Sequence, residues 1–200
     1  MADKSPKKDN AKKLTELQTL FLPLGLELVT QGSLSIAEAE EPYITFVENA
    51  LTKARHAAQH AGTAAIADDS GLCVDALGGA PGVLSARYAT LFGRPKGDDE
   101  NNRVLLENMA QHVDRRARFV SVLVAVRSSD DPEPLIATGR VVGEVTRAPI
   151  GQNGFGFDPV MFLPEFGQTF AQLPTEVKNA NSHRGKAARL MMALMQERWL

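Results

Sequence analysis

The sequence is poor in the features that mark several protein classes. It has one cysteine, Cys73, among 200 residues, so no disulfide can form within the chain. The 22 lysines and arginines nearly balance the 24 acidic residues, and no overall basic field indicates a nucleic-acid partner. No apolar run approaches the roughly 20 residues that cross a membrane. We therefore expect a cytoplasmic protein that binds neither membranes nor nucleic acids.

Familiar catalytic and phosphate-binding motifs are also missing. The sequence contains no G-x-x-x-x-G-K-[ST] phosphate loop and no G-x-G-x-x-G after a strand. No G-x-S-x-G elbow surrounds Ser70, which makes a serine hydrolase a poor interpretation. His56 and His60 have the spacing of zinc ligands, but the glutamate of H-E-x-x-H is absent. We expect both to be surface histidines on a helix.

Length and an apolar content of 44% predict one ordinary globular domain, and we find no internal repeat or linker. We divide the chain into a polar N-terminal arm, residues 1–9, and a single domain, residues 10–200. The arm has no apolar periodicity, which is typical of disorder. Helical spacing of leucines predicts a first helix from Lys12 that closes at Pro23-Leu24-Gly25. Residues 26–29 resemble a short strand.

Residues 64–72 (AAIADDSGL) organise the rest of the chain. A short apolar run leads into Asp68, Asp69 and Ser70, which predicts a buried strand that ends at a polar turn. Ligands of open α/β sheets bind beyond the carboxyl ends of strands, and carboxylates suit Mg²⁺. Side chains alternate along a strand, so one of the two aspartates, but not both, should hold a metal. From this stretch alone, solvated acids in a turn are an equally good alternative.

The remaining elements follow from periodicity and caps. Thr45 and Glu48 are predicted to form a capping box at the start of a helix. A further helix is predicted at residues 98–109, with Asp98 or Asp99 as its cap. Two antiparallel strands are predicted at residues 119–126 and 135–145. A glycine-rich loop follows at residues 151–159. A short helix is predicted to begin at Pro174, and a final helix at Ser182.

Polar clusters at the element boundaries have the chemistry of a nucleoside triphosphate site. Lysines neutralise phosphates, carboxylates hold Mg²⁺, aromatic rings stack on a base, and glycines allow close backbone approach. The clusters are Asn10 with Lys12 and Lys13, Lys53, Asp68-Asp69-Ser70, Phe155-Gly156-Phe157-Asp158, Lys178, and His183-Arg184. Taken singly, each has a plainer interpretation, such as a solvated lysine or a phenylalanine in the core.

Together the motifs resemble those of the inosine/xanthosine triphosphate pyrophosphatases, from about Asn10 to the last helix. They are TFVENA at 45–50, ADDSGL at 67–72, GGAPG at 78–82, SARY at 85–88, GFGFDP at 154–159 and SHR at 182–184. The resemblance implies an α/β fold with a long mixed central sheet, flanking helices and two lobes around a nucleotide cleft. It also implies a homodimer that uses Mg²⁺ to hydrolyse ITP, dITP and XTP to the monophosphate and pyrophosphate.

The resemblance also implies a role for individual residues. Asp69 would be the catalytic acid-base and a metal ligand, and Glu40 or Glu41 would be the second acidic metal contact. The implied substrate-binding residues are Asn10, Lys13, Lys53, Ser70, Phe155, Gly156, Phe157, Asp158, Lys178, His183 and Arg184.

The N-terminus departs from the family pattern. In the family an apolar strand precedes the asparagine and ends in Ser or Thr, whereas here residues 1–9 are polar and Lys8 stands at the hydroxyl position. We therefore expect a degraded first strand. An alternative function follows, that of a nucleotide-binding protein with impaired or no catalysis.

Overall fold

The computed structural model describes Leu17, Gln18, Phe21, Leu22 and residues 25–200. The predicted arm at residues 1–9, its degraded strand, and the predicted contacts Asn10 and Lys13 lie outside these residues. The regular elements are helix α1 (Phe46–Ala61), strand β1 (Ala65–Val74), helix α2 (Asp98–Asn108), strands β2 (Arg116–Val126), β3 (Leu135–Val145), β4 (Met161–Leu163) and β5 (Gln168–Thr169), and helices α3 (Thr175–Asn181) and α4 (His183–Arg198). A 3₁₀-helical segment, Gly82–Phe92, follows β1.

The strands form one sheet in the order β1-β2-β3-β4-β5. β1 pairs with β2 from Ala65 opposite Val126 to Val74 opposite Ala117, and β2 pairs with β3 over a similar length. The predicted α/β fold and the predicted antiparallel pair β2–β3 are confirmed. We expected a mixed sheet, but in the described part of the chain all strand pairs are antiparallel.

Strand β1 does not end at a polar turn, contrary to our prediction. It continues through Asp68, Asp69 and Ser70, which therefore lie in the middle of a ten-residue strand. All three are paired with β2, and the strand then buries Leu72 and Val74 completely. Ladder hydrogen bonds and this apolar burial together outweigh the turn preference of Asp, Ser and Gly.

Three hydrophobic clusters surround the long strands and form two lobes. In one lobe, α1 packs on one sheet face through Ala50 and Ala54, and α4 packs on the opposite face through Ala187 and Met191. The second lobe surrounds the other end of β1 and β2. Its buried residues include Leu72, Val74, Tyr88, Leu105, Phe119, Phe157 and Phe170. Asp68, Asp69 and Ser70 lie where the two lobes meet along β1.

Gly139 of β3 allows α4 to approach the sheet closely. A Cβ atom at this position would collide with the backbone of His183 and lie 2.6 Å from the nitrogen of Ala187. Ser182 caps the helix by accepting the Gly185 N–H at 3.0 Å, so the predicted start of the last helix is confirmed. The close approach fixes His183 and Arg184, the first residues of α4, over the sheet.

Local predictions at the other helix starts met different outcomes. The Thr45 half of the predicted capping box is confirmed, since its hydroxyl accepts the Glu48 N–H at 3.3 Å, while the Glu48 carboxylate accepts the Thr45 hydroxyl at 2.5 Å. The cap of α2 is Gly97 rather than Asp98 or Asp99. Asp98 is instead the first helical residue, and its carboxylate accepts a hydrogen bond from the N–H of Gly156.

The predicted strand at residues 26–29 is not found, because residues 26–30 adopt no regular structure. Leu26 and Leu28 instead pack on the cluster beneath α4, so their alternation reflects burial without strand pairing. Leu17, Gln18 and Phe21 are helical, in agreement with the predicted first helix. Within residues 25–200 and the four described residues before them, no helix is long and apolar enough to span a membrane.

The β2–β3 connection depends on Asp131. This buried carboxylate accepts the backbone N–H of Arg127 at 2.8 Å and that of Glu133 at 2.9 Å. We expect Asp131→Ala to lower the free energy of unfolding by about 2 kcal/mol at neutral pH, whereas Asp130→Ala, at an exposed neighbour, should change it little. Urea denaturation measures both.

The pH dependence of this effect has a definite sign. The two backbone N–H groups lower the pKa of Asp131. A lowered pKa stabilises the fold above the carboxyl pKa of the unfolded chain, and this stability is lost as the pH falls through the lowered value. The difference between the unaltered protein and Asp131→Ala should therefore shrink in acid. A difference that is constant from neutral pH into acid would contradict this role.

Candidate functional site

An acidic cluster lies between α1 and β1, on one face of the sheet. The Lys53 ammonium donates to Asp69 Oδ1 at 3.0 Å and to Glu41 Oε1 at 2.9 Å. Arg87, from the 3₁₀-helical segment, donates to the other Glu41 oxygen at 3.3 Å. Two carboxylates thus converge on one ammonium. The exposed Glu40 has no such contact among the described residues, so the geometry favours Glu41 over Glu40 as the second acid.

Asn49 joins the acidic loop to α1, a role that our sequence analysis missed. Its amide accepts the backbone N–H of Tyr43 at 3.0 Å and donates to the carbonyl of the same residue at 3.1 Å. The same amide lies 3.5 Å from Asp69 Oδ2. Asn49 is buried beside the apolar stripe of α1. A polar residue in that place was the sequence signal that could have identified it.

The charges of the acidic cluster are strongly coupled. Burial raises the pKa of Asp69, and the positive charge of Lys53 lowers it. The nearby negative charges of Glu41 and Asp68 raise it further, so the pKa of Asp69 lies above its ordinary value. Burial also raises the pKa of Glu41, but Lys53 and Arg87 outweigh it and the net shift is downward. Burial lowers the pKa of Lys53, and its two acidic partners reverse this into a net increase. Asp69 is therefore the better proton acceptor of the two acids.

Asp68 faces the opposite side of β1, as strand alternation predicted. Its carboxylate accepts the Ser121 hydroxyl at 2.7 Å and the Ser70 hydroxyl at 3.1 Å. Arg184 lies 3.8 Å from Asp68 and donates to Ser70 Oγ at 3.1 Å. Asp68 therefore holds Ser70 and Arg184 together. Sequence analysis missed the fully buried Ser121 because it lies within the apolar run of β2.

Phe155 lies beside two cations on the same side of the sheet as Asp68. Lys178 Nζ and Arg184 Cζ are each 4.9 Å from the centre of its ring. The buried Asp158 accepts the Phe155 N–H at 2.9 Å and the Lys178 ammonium at 2.5 Å. The structure thus brings three other predicted substrate-binding residues, Lys178, Arg184 and Asp158, together around the ring of Phe155. A planar base can stack on this ring in place of one of the two cations.

Two other predicted contacts are less accessible. Phe157 is 4% exposed and packs in the core of the second lobe, which leaves Phe155 as the aromatic ring outside that core. His183 is also 4% exposed, and its ring stacks on Phe119 with centres 4.8 Å apart.

The rings of His56 and His60 lie 4.2 Å apart. In the described part of the chain, no three His, Cys, Asp or Glu side chains cluster as a metal cage.

Comparison with known proteins identifies the family. The model of the Ham1 family matches residues 8–194. This chain belongs to the Ham1 family. The resemblance that we inferred from the motifs is confirmed. The chain is 69% identical over 192 residues to the dITP/XTP pyrophosphatase of Albidiferax ferrireducens, and 67% identical over 195 residues to that of Polaromonas naphthalenivorans, with 96% of each chain covered in both cases.

Solved structures of this family agree with the fold. A HAM1 protein from Coxiella burnetii is 41% identical, with a TM-score of 0.88 and 96% of each chain covered. The Ham1 protein of Staphylococcus aureus is 35% identical, with a TM-score of 0.84 and coverage of 97% of this chain and 96% of its own. In this chain, Asp69 with its acidic cluster and Asp68 with Arg184 lie on opposite faces of β1.

The two aspartates of β1 should differ in their effect on stability. Asp68→Ala removes the acceptor of the fully buried Ser121 and the anion beside the buried Arg184. We expect it to lower the free energy of unfolding by about 2 kcal/mol or more. Asp69→Ala removes a buried carboxylate beside two other acids, while Lys53 keeps Glu41, so it should cost less. Chemical denaturation tests this, and equal losses would contradict it.

Proposed function

We propose that this protein hydrolyses ITP, dITP and XTP to the nucleoside monophosphate and pyrophosphate with the help of Mg²⁺. The observation that carries the proposal is the arrangement along β1, where an acid-lysine cluster and a cation-flanked aromatic ring occupy opposite sides of residues 68–70. The name shared by the relatives supports the substrate class. We further propose that the protein acts as a cytoplasmic homodimer that removes non-standard purine nucleotides.

The acidic cluster has a donor set that fits Mg²⁺. Asp69 and Glu41 each place an oxygen within 3.0 Å of the same Lys53 ammonium, so both can reach one cation. Mg²⁺ in phosphate-transfer sites is commonly held by one or two carboxylates together with substrate phosphates and water. Asp69 and Glu41 would therefore hold it. When bound there, it would supply charge neutralisation and orientation of the phosphate oxygens.

The residues of this cluster account for the chemistry at phosphorus. A water molecule attacks the α-phosphorus, the new oxygen–phosphorus bond forms, and the bond to the bridging oxygen breaks to release pyrophosphate. Asp69, whose carboxylate lies 3.0 Å from the Lys53 ammonium, accepts the proton of the attacking water. Lys53 stabilises the negative charge that develops. Arg87 and Asn49 keep the acidic loop in place while this occurs.

The other cluster accounts for choice of base. The Arg184 guanidinium lies 4.9 Å from the centre of the Phe155 ring, so a hydrogen-bond donor group lies beside the proposed base position. Hypoxanthine and xanthine present a 6-keto acceptor to such a donor, whereas adenine presents an amino group. A site built around donors rejects a substrate that leaves them unpaired, by up to roughly 10⁴-fold in rate. We therefore propose that Arg184 favours 6-keto purines over adenine.

A nucleotide panel tests the proposed function. With Mg²⁺ we expect pyrophosphate from ITP, dITP and XTP and little turnover of ATP or GTP, and we expect Asp69→Asn to lose roughly 10²–10⁴-fold in kcat. Asp68→Asn should lose less, because it faces away from the acidic cluster. Orthophosphate as the first product, or equal rates on ATP, would contradict the proposal. Binding of ITP without turnover would favour the alternative, a nucleotide-binding protein without catalysis.

The two neighbouring glutamates give a matched test of the metal site. We expect Glu41→Gln to raise the Mg²⁺ concentration needed for half-maximal turnover by about tenfold, because a neutral amide binds Mg²⁺ more weakly than a carboxylate. Glu40→Gln, next to it on the exposed loop, should leave that concentration unchanged. Titration of Mg²⁺ at fixed dITP measures both. A larger effect at Glu40 would show that the second acid has been misassigned.

A further inference from the structure

Helix α2 holds the loop at residues 151–159 through a single glycine. Asp98 Oδ2 accepts the N–H of Gly156 at 2.7 Å, and Asn102 Nδ2 donates to the carbonyl of the same residue at 2.9 Å. Both backbone groups of Gly156 are therefore bound by one helix. Neither Asp98 nor Asn102 belongs to the site residues described above. We call this pair the α2 clamp.

The clamp acts at the residue between the two aromatic side chains of the loop. Gly156 has a φ of +62°, in the left-handed region that glycine adopts freely. On one side of it Phe157 enters the hydrophobic core, and on the other Phe155 lies beside Lys178 and Arg184. The orientation of Gly156, together with the hydrogen bond from the Phe155 N–H to Asp158, thus determines where the ring of Phe155 points relative to those cations.

Packing does not fix Gly156 in this position. A Cβ atom at residue 156 would have no heavy atom within 4 Å. A groove of about 990 Å³ separates α2 from the loop, and Asp98, Asn102 and Phe155 all line it. On the side that faces α2, the restraint on the loop therefore comes from the two hydrogen bonds of the clamp, whereas Asp158 and the carbonyl of Ala171 hold the loop elsewhere.

Stability alone does not explain an asparagine at position 102. The residue is 5% exposed, and its Oδ1 atom is buried without a hydrogen-bond partner in the described part of the chain. Burial of an unpaired acceptor is unfavourable. Since Nδ2 must donate to the Gly156 carbonyl, the amide cannot rotate to exchange its two ends. The residue therefore holds the loop at a cost to the fold.

We propose that Asp98 and Asn102 are positioning residues that determine base selectivity by fixing Gly156 and thereby the ring of Phe155. The inference rests on the proposed function, since it names what orients the base-binding side of that site. Without the clamp the loop samples more conformations, and binding of the base must then order it again. A 6-keto purine, which depends on the aligned donors, loses more from this than adenine does.

The test compares alanine, a conservative variant and a neighbouring control. Asp98→Ala and Asn102→Ala should each lower the ratio of kcat/KM for dITP over dATP by about tenfold, mainly through KM for dITP. Asp98→Asn retains an acceptor for the Gly156 N–H and should keep the ratio within about twofold of the unaltered protein. Asp99→Ala, at an exposed residue of the same helical turn, should leave it unchanged. Melting temperatures verify that each variant is folded.

Equilibrium binding separates this inference from the proposed function. The ratio of dissociation constants for dAMP and dIMP, measured by calorimetry, should fall in the same variants without requiring turnover. An unaltered ratio in folded Asp98→Ala and Asn102→Ala would overturn the proposed role of the clamp. An equal fall of the ratio in Asp98→Asn and Asp98→Ala would overturn it as well. A protein that prefers dIMP but releases no pyrophosphate from dITP would contradict the proposed function alone, and the binding ratio would still decide the clamp.

Discussion

The site depends on the alternation of side chains along one continuous strand. Asp68 and Asp69 are adjacent in β1, and their carboxylates point to opposite faces of the sheet because the strand stays extended through both. Pairing with β2 along the whole of β1 keeps it extended. A shift of one residue in this register would exchange the two carboxylates between the faces. The register therefore determines which aspartate meets Lys53 and which meets Arg184.

Each face then surrounds its carboxylate with a different kind of partner. Asp69 contacts the Lys53 ammonium, which it shares with Glu41. The charge of each of these three groups therefore affects the protonation of the other two. Asp68 meets two hydroxyls and a buried guanidinium, which is a fixed and well-satisfied environment. We propose that reactive and structural roles are thus divided between these neighbouring residues. Helix α1 supplies the partner on one face and helix α4 the partner on the other, so the two helices must pack at fixed positions on the sheet.

Sequence reasoning succeeded where the signal was local. The long strands, the caps at Thr45 and Ser182, and the opposite orientations of the two aspartates all follow from periodicity or short-range chemistry. It failed where tertiary contacts decided the outcome. β1 continues past its polar residues because β2 pairs with them, and Asn49, Ser121 and Asn102 were missed because their roles come from partners distant in the chain. The choice between Glu40 and Glu41 likewise needed the position of Lys53.

The central claim is that one nucleotide passes around β1, the outermost strand of the described sheet, with its phosphates beside Lys53 and its base on Phe155. A crystal structure of Asp69→Asn in complex with dITP and Mg²⁺ tests this most directly, because slowed turnover preserves the substrate. Our account predicts phosphate oxygens within hydrogen-bonding distance of Lys53 Nζ, and a base stacked on Phe155 with its 6-keto oxygen directed at Arg184. A nucleotide bound in the groove between α2 and residues 149–159, with its phosphates away from Lys53, would contradict it.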